Sequence, residues 1–260
     1  MILLIGGHQR SGTTLLGELC NHHRDIIITR EFGNFLALGR PYQAYSRQIL
    51  NRWWTVQSKW AFEPASERHR LMRLHNFLFV LRYLLKVHRV RQGHVDLGAI
   101  ETALRSLFPA ARFVGDKWPG FVFSLDKFVE KDGIYLLMIY RDCRDVVSST
   151  LEQVRTSWRK SAFAEQMNTA EKVARRWVRA IEEMERYRNR LHIICYEDLI
   201  CKTQQELHRL GEWLGVSPQE FSIQPVRDTS VGKHKKGLSA DELSVVLEIA
   251  GPTMARLGYL

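Results

Sequence analysis

The chain has 260 residues, 45% of them apolar and 25% charged, the composition of an ordinary soluble globular protein. That length buries a full core in a single domain over residues 1–260, and no linker, repeat or low-complexity stretch divides it. The formal net charge of +10 calls for an anionic partner. Zinc-finger spacing and RNA-binding aromatic signatures are both missing, so no nucleic-acid partner is expected. A phosphorylated nucleotide, an acidic acceptor and peripheral contact with an anionic membrane stay open. Cys20, Cys143, Cys195 and Cys201 form no CxxC pair and point to a reducing, cytoplasmic setting. No run approaches the ~20 apolar residues that a bilayer span needs. The opening apolar run is too short for a signal peptide and no basic residues precede it.

In chain order, Ile2–Ile5 is a continuous apolar run ending in Gly6-Gly7, as for a buried parallel strand. A helix follows over Thr13–His22, and Ile26–Thr29 is β-rich. His22-His23 reads as surface. Residues 41–108 form a helical insertion in which Trp53, Trp54 and Trp60 shape a substrate mouth or fill core. Within it, residues 68–91 read as one long basic amphipathic helix, either a core helix with a solvated face or a face for a membrane or anionic substrate. Leu97–Leu107 is a further helix. Ala111–Gly115, Ile134–Tyr140 and Leu191–Tyr196 are strand candidates, and Phe121–Glu130, Met167–Tyr187 and Gln204–Leu214 have helical patterns. This alternation predicts an α/β fold: a three-layer, P-loop NTPase-like arrangement with a central parallel sheet flanked by helices. Ligands of such sheets sit at the carboxyl ends of the strands.

Two motifs follow strands directly. Residues 7–14, GHQRSGTT, open the first helix, where unpaired N–H groups and the helix dipole suit a phosphate. Gly6, Gly7 and Gly12 let the backbone curl, Ser11, Thr13 and Thr14 add hydroxyls, and Arg10 is the nearby cation. The ATP-binding loop needs Lys where Thr13 stands, so the usual phosphate lysine is missing. The second motif is Arg141-Asp142-Cys143-Arg144-Asp145, with Ser149 eight residues after Arg141. Arg141 can grip an oxyanion with two N–H groups while Ser149 donates to the same phosphate. Read alone, the motif is also a surface ion-pair cluster. Glu31 follows the second strand and is the candidate base, with a plain helix-turn carboxylate as the alternative and His8 as the rival base.

GHQRSGTTLL, which includes Leu15, resembles the 5′-phosphosulfate loop of sulfotransferases that use 3′-phosphoadenosine-5′-phosphosulfate (PAPS). The form is that of tyrosylprotein sulfotransferases and many bacterial members. The 141–149 segment resembles the family's 3′-phosphate motif, with Cys143 where proline is usual. Glu31 lies 21 residues after Arg10, the offset of the catalytic Glu in tyrosylprotein sulfotransferases. The resemblance implies that Lys117, in Gly115-Asp116-Lys117-Trp118-Pro119, neutralises charge on the leaving oxygen, with Arg10 sharing the task. Pairing with Asp116 is the structural alternative for Lys117. The resemblance also places Tyr196 of Y-E-D-L near the nucleotide, and it implies a C-terminal nucleotide loop at Ser230-Val231-Gly232-Lys233. There Lys233 and His234 replace the usual Arg and Trp, and residues 233–236 also read as a solvated charge cluster. The implied reaction is sulfuryl transfer from PAPS to an acceptor hydroxyl on a glycan, lipid, small alcohol or phenol. The product is 3′-phosphoadenosine-5′-phosphate (PAP), no metal is required, and the 41–108 insertion sets acceptor specificity. The alternatives are a P-loop small-molecule kinase using ATP and Mg²⁺, and a basic binding protein that has lost transfer.

Overall fold

The computed structural model describes all residues except 56–68, 160, 225 and 227–229, and for residues 53–55, 69–76 and 162 it describes the backbone alone. Trp60 and Arg68, and the side chains of Trp53 and Trp54, therefore lie outside the described residues. The rest builds a five-stranded, all-parallel sheet in the order β2-β3-β1-β4-β5, flanked by helices. This is the three-layer α/β arrangement that the alternation predicts. The elements are β1 (Ile2–Gly7), α1 (Thr13–Asn21), β2 (Ile26–Arg30), α2 (Tyr42–Thr55), α3 (His69–Val90) and α4 (Leu97–Leu107). There follow β3 (Phe113–Lys117), β4 (Ile134–Tyr140), α5 (Cys143–Arg155), α6 (Ala162–Glu165), α7 (Ala170–Arg186) and β5 (Leu191–Cys195). The chain ends with α8 (Tyr196–Cys201), α9 (Thr203–Leu214), α10 (His234–Gly237) and α11 (Ala240–Arg256). None of the described helices is long and apolar enough to cross a membrane.

β1 is central because it is apolar on both faces. Ile2 and Leu4 pack with Phe32, Phe35, Tyr83 and Phe121, while Leu3 and Ile5 pack with Leu16, Leu19, Leu207 and Leu210. Alternate side chains of one strand thus feed two separate cores. A third cluster joins Val146, Val147, Trp177 and Met254, where α5, α7 and α11 meet.

Four sequence expectations are corrected. β3 runs two residues past Gly115, because Asp116 and Lys117 pair in register with Leu4 and Ile5 on one side and with Thr29 and Arg30 on the other. Gly115 is not a stop signal; a Cβ there would lie 1.7 Å from the Leu3 carbonyl oxygen, so the glycine lets two buried strands approach. The helix expected over 121–130 is a 3₁₀ helix at Pro119–Lys127, broken at Ser124 (φ −143°, ψ 26°) as Phe121, Val122 and Leu125 turn inward. Tyr196 begins α8 and does not end β5. His23 is buried, not at the surface: its ring donates to the Ser217 carbonyl (3.1 Å), accepts from the Asp25 N–H (3.1 Å) and packs on Phe221.

Candidate active site

The loop 8–15, Glu31, Lys117, Arg141 and Tyr196 lie at the ends of β1, β2, β3, β4 and β5, at the carboxyl edge of the sheet. The loop after β1 reaches α1 through Gly12, whose left-handed backbone (φ 96°) carries no capping side chain. The first N–H groups of α1 therefore face the loop without a capping oxygen. A Cβ on Gly12 would sit 2.4 Å from the Tyr196 ring, so this loop fits against that tyrosine only with glycine. Ser11 is fully buried, and its hydroxyl has no hydrogen-bond partner among the described residues. Thr13 is buried, Thr14 is exposed, and Leu15 turns its side chain to the core beneath the sheet.

Two guanidinium groups crowd the same place. Arg10 donates from Nε to the Ser149 hydroxyl (2.9 Å), and Arg141 donates to the Arg10 carbonyl (3.3 Å). Ser149 is therefore held by Arg10 and not by Arg141, although all three converge. Arg141 lies over the Tyr196 ring at 4.7 Å, and its buried Nε has no partner among the described residues. Burial and the neighbouring Arg141 charge push the Arg10 pKa down, the setting in which a bound anion stabilises most. An unpartnered buried hydroxyl, an unpartnered guanidinium N–H, a glycine cradle and two adjacent cations together fit a phosphate-bearing ligand.

Asp145 organises the other side of Arg141. One of its oxygens accepts from Arg141 (3.0 Å) and the Gly232 N–H (2.8 Å), and the second accepts from the main chain (2.9 Å) and ring (2.8 Å) of His234. Burial alone would raise its pKa, but the His234 donors and Arg141 outweigh it and hold the carboxyl below its usual range. The Ser230 carbonyl also accepts from Arg141. The 141–145 cluster is thus partly the ion-pair cluster it resembles in sequence, with Asp142 capping α5 and pairing with Arg144. Lys233 is exposed at the start of α10 and is not gathered with the others.

The third group is a pair. Lys117, 3% exposed, donates from Nζ to Glu31 Oε1 (2.8 Å) and to the Thr14 hydroxyl (3.3 Å). Asp116 does not bond to it; its carboxylate accepts from Thr29 Oγ1 (2.7 Å) and from the N–H groups of Phe32 and Gly33 (both 3.0 Å). Burial pushes Asp116 up to about 6 despite those donors. Burial likewise lowers the Lys117 pKa, and Glu31 opposes the shift. Glu31 starts no helix. Its backbone is left-handed (φ 56°), its N–H donates to the Lys117 carbonyl (2.8 Å), and its carbonyl is gripped by Arg52. Among the described residues, Arg10 and Glu31 alone combine a positive φ with a side chain. Such strained positions gather where geometry serves chemistry. His8 is buried inside the loop, its Nδ1–H donates to the Gln9 carbonyl (2.8 Å), and burial lowers it to about 4, leaving it neutral.

Sequence reasoning missed two participants. Arg52 comes from α2, where it looks like any exposed-face arginine; only tertiary packing brings it over the Trp118 ring (4.1 Å) and onto Glu31. The organising role of Asp145 had a local signal, its i,i+4 spacing from Arg141. Among the described residues no group of three or more His, Cys, Asp or Glu side chains is placed to hold a metal ion.

Comparison with known proteins draws these observations together. Against curated protein sequences the chain has no match. Its fold is similar to that of a sulfotransferase domain from the curacin biosynthetic pathway: TM-score 0.59, 16% identity, 100% of this chain and 98% of that one covered. It is also similar to a sulfotransferase from Alicyclobacillus acidocaldarius (TM-score 0.53, 18% identity, 98% and 93% covered) and to sulfotransferase STF9 from Mycobacterium avium (0.52, 12%, 98% and 76%). At these identities the likeness establishes the fold. A sequence profile described as "Sulfotransferase family" matches residues 3–220, spanning all three groups of site residues up to Tyr196, and so the chain belongs to the sulfotransferase family.

Proposed function

We propose that this enzyme transfers the sulfuryl group of PAPS to an acceptor hydroxyl, with Glu31 as base. When bound, PAPS supplies the sulfuryl group on a phosphate leaving group. The loop 8–15 and the N-terminus of α1 hold the 5′-phosphosulfate, Ser11 donating its free hydroxyl. Arg141, with Ser149 and Arg10, holds the 3′-phosphate, Tyr196 stands beside Arg141, and Ser230 bounds the nucleotide from the C-terminal loop, while the exposed Lys233 is left out of this set. Glu31 takes the acceptor proton as the acceptor oxygen bonds to sulfur. The S–O bond to the 5′-phosphate breaks with its electron pair on PAP, where Lys117 and Arg10 offset the charge. Positioning and charge stabilisation dominate such transfers.

The observation that carries this proposal is the Lys117–Glu31 pair at 2.8 Å, with Lys117 also reaching Thr14 of the phosphate loop. One lysine links the base to the donor loop, which suits a side chain that must serve both ends of an in-line displacement. The missing loop lysine at Thr13 and the family match set aside the kinase alternative. All four cysteines are free thiols, which supports a reducing compartment such as the cytoplasm.

The test is calorimetric titration of PAP against ATP with Mg²⁺, on the wild type and Arg141→Ala. The proposal expects PAP to bind, ATP to bind weakly, and Arg141→Ala to weaken PAP roughly tenfold to a hundredfold, the worth of charged hydrogen bonds. Preference for ATP, or no effect of Arg141→Ala, would overturn it.

A further inference from the structure

The segment that follows Lys117 carries two aromatic rings, each with an arginine laid on it. Arg52 lies 4.1 Å over the Trp118 ring and ends on the Glu31 carbonyl. Arg176, from α7, lies 4.0 Å over the Phe123 ring and ends on nothing. Its guanidinium forms no hydrogen bond or ion pair among the described residues, and its Nε is buried. The exposed Arg179 stands 5.6 Å from the same ring. The carboxylates of α7 are engaged elsewhere: Glu171 pairs with Arg175, Glu183 with Arg186 and Glu185 with Arg256. Glu182 and Asp126, the other acids of α7 and of the 119–127 segment, form no ion pair with Arg176 or Arg179. Burial and the Arg179 charge push the Arg176 pKa down, and no acid opposes them. A half-buried cation without a counterion gains most from a bound anion.

Arg176 stands at the same edge and on the same face as Glu31. The indole N–H of its neighbour Trp177 donates to the Arg141 carbonyl (2.9 Å), which fixes this turn of α7 at the carboxyl end of β4. The Arg176 charge also reaches His8, just after β1. Phe32, Trp118 and Phe121 pack in one core with Ala180 of α7, whereas α1 and Tyr196 lie over the opposite face of the sheet. An in-line displacement brings the acceptor in opposite the leaving phosphate. With the donor phosphates at the N-terminus of α1, the acceptor's side is that of Phe32, Trp118 and Phe123. Trp118, Pro119, Gly120 and Phe123 are half-buried there, a partly open strip between Arg52 and Arg176.

Resting on the proposed reaction, we infer that Arg176, with Arg179 beside it, binds an oxyanion carried by the acceptor, so that the acceptor is a hydroxyl compound with a separate anionic group. The hydroxyl goes to Glu31, the body of the acceptor crosses the strip from Trp118 to Phe123, and the anion meets Arg176. β2 and β1 are two strand spacings apart, which sets the two ends of the acceptor about 10 Å from each other.

The experiment is calorimetric titration, in the presence of saturating PAP, of 8-hydroxyoctanoate, whose extended chain suits that span, and of its neutral counterpart octane-1,8-diol. The wild type is compared with Arg176→Gln and Arg179→Gln. The wild type is expected to bind the hydroxy acid about tenfold or more tightly than the diol, the worth of charged hydrogen bonds. Arg176→Gln is expected to bring the two probes within about twofold of each other while diol affinity holds, and Arg179→Gln to remove a smaller part of the preference. Equal affinity for the two probes in the wild type, binding of neither, or a preference that survives Arg176→Gln would overturn the inference. PAP titrated alone keeps the two questions apart. A wild type that fails to bind PAP sinks the donor assignment. Weaker PAP binding in Arg176→Gln alone assigns that arginine to the donor and overturns the inference, whereas normal PAP binding in both variants places a lost preference at the acceptor.

Discussion

Arg52 donates two hydrogen bonds, at 2.9 and 3.1 Å, to the main-chain carbonyl of Glu31, the residue whose left-handed turn carries the proposed base. The guanidinium also lies on Trp118, and a Cβ on Gly33 would fall 2.5 Å from its chain. Arg52 is therefore a positioning residue, acting through Glu31. Arg52→Met is expected to lower kcat about tenfold or more while the KM for PAPS stays within twofold, because charged hydrogen bonds of this kind are worth ~1.5–3 kcal/mol each. Arg52→Lys should recover part of the loss. Steady-state kinetics with PAPS measures the split, and an unchanged kcat in Arg52→Met would show that the turn of Glu31 holds itself.

Glu31→Gln keeps the shape of the pair with Lys117 and removes the base. Sulfuryl transfer is expected to fall by about 10²–10⁴, the usual contribution of general base catalysis. PAP affinity should not fall. Single-turnover transfer from labelled PAPS gives the first number and calorimetry the second.

Gly12 and Gly98 make a matched comparison. At Gly12 a side chain meets the Tyr196 ring and a φ of 96°; at Gly98 it meets only an Asp96 carboxylate oxygen, at an ordinary contact distance of 3.5 Å. Gly12→Ala is expected to cost about 2 kcal/mol or more, a drop of roughly 4–8 °C in melting midpoint, with at least tenfold weaker PAP binding. Gly98→Ala, in a helix, should hold or raise the midpoint. Thermal denaturation of the two variants side by side decides it.

Two buried groups contribute to the acid limb of stability with opposite signs. His8 is depressed from 6.5 to about 4, so its contribution is present above pH 6.5 and is lost as pH falls through about 4. Asp116 is raised from 3.8 to about 6, so its preference for the protonated form is present below pH 3.8 and is lost as pH rises through about 6. His8→Asn should remove the first effect and leave the second. Between pH 7 and 4.5 the wild type is expected to lose roughly 2–3 kcal/mol more than His8→Asn in urea unfolding, from ~1.4 kcal/mol per unit of pKa shift. Parallel pH curves for the two proteins would contradict the assignment.

The sheet was legible because its strands are buried on both faces and read as unbroken apolar runs such as Ile134–Tyr140. The candidate anion-binding groups could be picked out in sequence because each is local: a glycine loop before a helix, and an arginine with a serine eight residues on. β3 starts and ends two residues later than the Ala111–Gly115 expectation, since Gly115 admits the neighbouring strand and the pairing continues through Asp116 and Lys117. The 119–127 segment misled because its apolar spacing suits a helix while Pro119 and the break at Ser124 tighten and bend it. Which donor holds Ser149, and where Arg52 points, depend on contacts between residues 139 and 21 positions apart, and no local pattern carries those.

Asp145 has one further consequence. A single carboxylate is shared between the Arg141 guanidinium and the main chain of Gly232 and His234. An anion that draws on Arg141 competes with Asp145 for the same edge of the guanidinium, and whatever loosens Asp145 loosens the segment around it. On the proposed donor assignment, release of the nucleotide from Arg141 and the hold of Asp145 on Gly232 and His234 are expected to be coupled. Substitutions at Gly232 or His234 would accordingly register in the exit rate of PAP, far from the bond that breaks.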